Sequence, residues 1–124
     1  MSNARPSLEA WLDEIKGDSG SRGIGIFFIH NGVVRGTTRD GSAVSGLDVS
    51  YDRKRLDEVV ARVEAMPGVV AVRAWVNEGS LAVGDDMIYT LVAGDIRKNV
   101  FGGWRTLVGL IKSEVVTEHE ILDP

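Results

Sequence analysis

Lys98, Arg105 and Lys112 recur at intervals of seven within the segment 97–112, and Arg97 opens that segment. Seven residues make about two turns of α-helix, so the three cations line one edge of it. Apolar residues recur at Val100, Phe101, Trp104, Leu107, Val108 and Ile111, the three-and-four spacing of a helix with one buried side. Cations along such a helix suit an anionic ligand. Arginine offers a planar fork to phosphate or carboxylate, and a helix N-terminus at Arg97 adds backbone donors. A lysine near other cations and partly withdrawn from water loses proton affinity. It can then work as acid, base or nucleophile. Lys112 is the candidate for that role, with Arg105 on the same edge. Arg35, which ends an apolar stretch, is a second arginine able to clamp a phosphate with Arg97. Each has a plainer reading: Lys112 as a solvated helix-end lysine, Arg97 as a helix-end charge, Arg35 as a strand-end charge reaching water.

The overall charge makes any such site local. The net charge is −4, so a nucleic-acid role has no global electrostatic support. The absence of cysteine removes disulfides, thiolate catalysis and the common zinc frameworks. His30 and His119 have no ligand-like spacing, so no metal site is expected. No cofactor is expected either: Gly23-x-Gly25 lies within a strand segment and is no dinucleotide fingerprint. Ser42, Ser45 and Ser50 fall in no nucleophile motif. No apolar run approaches the roughly 18 residues of a membrane helix. The first six residues lack the apolar core of a signal peptide, and a cytoplasmic home is the default. The 124 residues, 44% hydrophobic and 26% charged, fit one domain over 1–124 with a real core; residues 1–6 are expected to be disordered.

The elements that must position the cations read as follows. A helix covers Pro6 to Lys16, with Leu8, Trp11, Leu12 and Ile15 on one face. A strand region runs from Gly23 to Arg35, interrupted at His30-Asn31-Gly32, where Asn-Gly favours a turn or bulge. After a polar loop at 37–41, Val44 to Tyr51 is a strand. Asp52 to Met66 is a helix with a stripe of Leu56, Val59, Val60, Val63 and Met66. The β-branched run Val69 to Val76 is a strand, and 77–81 is irregular or a short bulged strand. Met87 to Ala93 alternates as a strand, the cationic helix spans Arg97 to Lys112, and Val115 to Ile121 is a last strand. Gly102-Gly103 weakens that helix by about 1 kcal/mol per glycine, which close packing or room for an incoming peptide would explain. The order predicts an α+β fold, a two-layer sandwich of largely antiparallel sheet and helices.

Five pieces of this chain, in order and over roughly Gly23 to Lys112, resemble the catalytic (large) subunit family of molybdopterin synthase. They are Gly32-Val33-Val34-Arg35 closing a strand; the helix after Tyr51; the Gly79, Leu81, Gly84, Asp85, Val92 pattern; Arg97 with Phe101; and Lys112. The resemblance implies a hammerhead-like fold and a role in molybdenum cofactor biosynthesis. It implies a homodimer at the centre of a heterotetramer, with a small ubiquitin-like sulfur carrier docked at each end. The carrier's C-terminal Gly-Gly thiocarboxylate would give sulfur to cyclic pyranopterin monophosphate. In this chain Lys112 would be the catalytic lysine, and Arg35, Arg97 and Arg105 would bind the substrate's anionic groups. The chain departs from the family in having Ile96 where a histidine usually precedes the helix-opening arginine. Ser113 to His119 stands where an aromatic-basic segment supplies a second lysine. Two other readings stay open: a dimeric binding relative without the reaction, and a ferredoxin-like regulatory domain, suggested by Pro67-Gly68-Val69-Val70.

Overall fold

The computed structural model describes residues 4–124. Helix α1 (Leu8–Lys16) starts where the Ser7 side chain accepts the Ala10 N–H, a serine cap. Strand β1 (Ile26–Val33) passes without a break through His30-Asn31-Gly32; the irregularity falls one step later, as a register shift between Gly32 and Val33. Strand β2 (Val44–Tyr51) leads into α2 (Arg53–Glu64), capped by the Asp52 carboxylate on the Arg55 N–H. Strand β3 (Val69–Val76), the short β4 (Gly79–Ala82) and β5 (Asp86–Gly94) follow. Helix α3 (Arg97–Leu110) then gives way to a π-helical turn (Ile111–Val115) and strand β6 (Val116–Leu122). The expectation of disorder over residues 1–6 lies outside the described residues at 1–3; Arg5 donates to the Asp86 carboxylate at 2.8 Å.

The architecture is α+β and every strand pair is antiparallel, as expected, but the strands divide into two sheets rather than one. One sheet has the order β1-β5-β3, the other β4-β2-β6. The segment 77–82 decides this: it forms β4 against β2, with Leu47 opposite Leu81, instead of continuing the first sheet. A turn at Gly84, whose φ of 92° suits glycine, returns the chain to β5.

The two faces of the first sheet are covered by different helices. Val72, Val76, Ile88 and Val92 point toward α2 and α3 and join Val59, Val63, Val100, Leu107 and Ile111 in the main core. Leu47, Val49 and Leu81 of the second sheet enter the same core. On the opposite face, Ala71, Leu91 and Ala93 pack with Ile15, Trp11 and Leu12 of α1. Strand β5 is therefore buried on both faces. The two helix glycines differ. A Cβ at Gly103 would lie 3.0 Å from Val69, whereas one at Gly102 would meet nothing within 4 Å. Close approach to β3 thus accounts for Gly103. No helix among the described residues is long and apolar enough to cross a membrane.

Candidate functional site

A cavity of about 970 Å³ lies where the two sheets meet the end of α3, within the size range of ligand sites. Four segments bring polar groups to it: the end of β1 with His30 and Arg35, the following loop with Thr38, Arg39, Asp40 and Ser42, the π turn with Lys112, and β6 with Glu118 and Glu120.

Arg35 is aimed by its own backbone neighbourhood. Its Nε donates to the Thr37 carbonyl at 2.9 Å, and its terminal nitrogens have no partner among the described residues. The next loop is stapled by Asp40, which accepts from the Thr38 hydroxyl and from the Ser42 N–H and hydroxyl at 3.2 and 3.0 Å. These bonds, the Thr38 hydroxyl first, hold the Asp40 carboxyl below the usual carboxylate range. Gly41, with φ of 92°, permits the tight return. Arg39 is thereby held at the cavity.

Lys112 does not sit on α3 itself. The α-helical bonding ends at Leu110, and Lys112 belongs to the π turn that follows, an irregularity often found at functional sites. Its Nζ donates to Glu118 Oε2 at 2.6 Å, with the two side chains 46% and 28% exposed. The amine's immediate partner is thus a carboxylate on β6, not Arg105. Alternation along β6 puts Glu118, Glu120 and Leu122 on the cavity side, and Thr117 and His119 on the other, against Asp48 and Val49. His119 therefore cannot stand in for a second lysine at this cavity.

His30, which lines the cavity, is held from behind by two side chains that do not. Trp104 Nε1 donates to Thr90 Oγ1 at 3.1 Å, and His30 Nδ1 lies 3.1 Å from that same oxygen. Thr90 is fully buried, and the edge of the Trp104 ring meets the His30 ring at 5.3 Å between centroids. Burial first, and then the Lys112 charge, push the His30 imidazole below its ordinary value.

Of the four residues assigned from the sequence, the cavity brings together Arg35 and Lys112 and leaves out Arg97 and Arg105. Arg97 and Lys112 are fifteen residues apart on one rod, about 22 Å by helical rise, too far to share a ligand phosphate within one chain. No side chain caps the first turn of α3, and the Asp95 carboxylate lies just before it. Asp95 Oδ1 accepts the Ile96 N–H at 2.6 Å and the Asn99 side-chain amide at 2.9 Å.

A family model described as the MoaE protein matches residues 1–114. The chain belongs to the MoaE protein family. That is the molybdopterin synthase large-subunit family its motifs resemble, and it places the chain in molybdenum cofactor biosynthesis, in a biosynthetic enzyme role. Solved structures share the MoaE fold. The chain is 19% identical to a molybdopterin synthase structure from Staphylococcus aureus (TM-score 0.76, covering 99% of this chain and 93% of that one). It is likewise 19% identical to molybdopterin cofactor biosynthesis protein E from Burkholderia multivorans (TM-score 0.73, 99% and 89%). A complex of subunits 1 and 2 of molybdopterin-converting factor from Helicobacter pylori matches at 15% identity (TM-score 0.67, 94% and 80%). Among curated proteins a sequence comparison finds no match.

The MoaE-family motifs led to Arg35 and Lys112, but they carry no signal for His30, Arg39, Asp40, Glu118 or Glu120. Two signals were nonetheless present. The run Thr38-Arg39-Asp40-Gly41-Ser42 has the composition of a stapled turn, and a strand placing Glu118 beside Lys112 also places Glu120 there.

Proposed function

We propose that this chain transfers sulfur from the C-terminal thiocarboxylate of a small carrier subunit to cyclic pyranopterin monophosphate, forming the molybdopterin dithiolene. The observation that carries this reading is the convergence of Arg35 and Lys112, from distant parts of the sequence, on one cavity. In this reading the Arg35 fork, its Nε already tied to Thr37, holds the substrate phosphate. Lys112 exchanges Glu118 for the anionic end of the carrier tail or the reacting substrate, and moves a proton there as the carboxylate leaves. The Helicobacter pylori structure is a complex of two factor subunits, which supports a small-subunit partner for this chain. Arg97 serves the reaction only from a second copy, as a homodimer at the core of a heterotetramer would allow. Arg105, exposed on α3, then lies nearer the docking surfaces than the substrate.

Reconstitution with a thiocarboxylated carrier and the pterin precursor tests the reading. Wild type should yield dithiolene, and Lys112→Ala should abolish it with fold and dimer intact; full activity in that variant would remove Lys112 from the mechanism. Mixing Lys112→Ala and Arg97→Ala chains tests the second copy. If Arg97 reaches across, mixed dimers regain one intact site and part of the activity; no regain would confine each site to one chain. A specific feature favours a second reading, a binding relative without the reaction: three carboxylates, Asp40, Glu118 and Glu120, face the three cations Arg35, Arg39 and Lys112. Wild type that binds the carrier and forms no product would establish that alternative.

A further inference from the structure

His30 is the one residue of the cavity able to gain a positive charge near neutral pH. Arg35, Arg39 and Lys112 carry theirs already, and Asp40, Glu118 and Glu120 balance them. A dianion entering this lining meets no net positive charge. We propose that His30 takes up a proton when an anion enters beside Arg35 and Lys112, and so becomes a further cation of that site. This rests on the reading of the cavity as an anion site, and adds a pH-linked element to it.

The geometry suits a group that changes charge. Thr90 Oγ1 accepts the Trp104 indole N–H, and a hydroxyl can still either donate to a bare Nδ1 or accept from Nδ1–H. The bond from the buried wall therefore survives in both protonation states. His30 Nε2 has no hydrogen-bond partner among the described residues, and no buried side-chain nitrogen or oxygen there lacks one. Nε2 is thus accessible, and it lies beside Gly32, which also lines the cavity.

The surrounding charges set the direction. From β1 itself Asn31 turns away to Asp86. Strand β5 offers Thr90 and Ile88, and α3 offers Trp104 and Val108, all uncharged. The loop contributes Arg35, Arg39 and Asp40, the π turn Lys112, and β6 Glu118 and Glu120. In the open cavity burial and the Lys112 charge lower the proton affinity of His30. An anion bound to Lys112 and Arg35 offsets that charge and adds an opposite one beside the ring, so both changes raise it. Linkage then requires anion affinity to rise as pH falls between the free and bound midpoints of His30, by at most about tenfold per pH unit for one proton.

Sulfate is the probe, because it keeps its charge from about pH 5.5 to 7.5, a range in which ordinary carboxylates also stay ionised. The chain has two histidines, and His119 faces away from the cavity, so it is an internal reference. Imidazole resonances of the full chain are followed by NMR against pH, with and without sulfate at constant ionic strength. The His30 midpoint should move up by about half a unit or more, with that of His119 unchanged. Sulfate affinity should rise about threefold to tenfold from pH 7.5 to 5.5 in wild type, and His30→Gln should lose that rise while still binding. A His30 midpoint unmoved by saturating sulfate, equal movement of both histidines, or the same rise in His30→Gln overturns the proposal. If Lys112→Ala or Arg35→Ala still weakens sulfate binding in that case, the anion site stands without His30. Sulfate binding indifferent to both substitutions would sink the site reading as well.

Discussion

At its N-terminal end α3 begins against backbone: Asp95 accepts the neighbouring Ile96 N–H, the Asp95 N–H reaches the Gly68 carbonyl at 2.9 Å, and Gly94 leaves no room for a side chain. At its C-terminal end the same helix loosens into a π turn, and Lys112 stands 46% exposed at the rim of a cavity. Both ends carry a cation, Arg97 at one and Lys112 at the other. The difference teaches that a cation on a helix says little about chemistry until the packing around that end is known. Where neighbouring backbone fills the space, the charge is left to solvent or to another chain. Where the helix geometry relaxes beside the two sheets, the charge faces a space that a ligand can enter.

Substitutions at the two ends should separate them. The largest effect belongs to the open end: Lys112→Ala should lower dithiolene formation by about a thousandfold, as for loss of a proton-transfer group, with a thermal unfolding midpoint within about 2 °C of wild type. A large drop in that midpoint would make Lys112 a structural residue. At the closed end, Gly94→Ala would force a Cβ into the Gly68 carbonyl and to 2.9 Å from Val100. It should cost about 3 kcal/mol in urea unfolding; a loss under about 1 kcal/mol would show that this end can yield. Behind the cavity wall, Thr90→Val leaves the Trp104 N–H and His30 without their shared partner, and should cost about 2 kcal/mol. The smallest effect is expected for Glu118→Gln, which removes the carboxylate charge from Lys112. It should tighten sulfate binding a few-fold with no loss of stability, in keeping with the weak net contribution of exposed ion pairs. Weaker sulfate binding in that variant would mean that Glu118 positions the amine rather than competing for it.

Local pattern carried much of the fold. The strands Val44–Tyr51 and Val69–Val76 stand where alternation and β-branching placed them, and α2 begins at its Asp52 cap. The apolar stripe through Val100, Leu107 and Ile111 is buried as its spacing predicts. The sequence could not show that β4 would leave one sheet to build a second, since Gly79–Ala82 is four residues long and its partner lies far along the chain. Nor did seven-residue spacing foretell that the helix would end at Leu110 and turn Lys112 toward Glu118.

Residue types and order by themselves determined the family, the antiparallel α+β character and two of the residues that line the cavity, Arg35 and Lys112. Those depend on local propensity and on motifs that survive in one dimension. Only the tertiary structure decided that Arg97 and Arg105 stand outside the cavity, that Glu118 holds the Lys112 amine, and that His30 lines the cavity with Thr90 and Trp104 behind it. Such contacts depend on which strands pair and where a helix gives way, and both are settled by the burial of side chains distant in sequence.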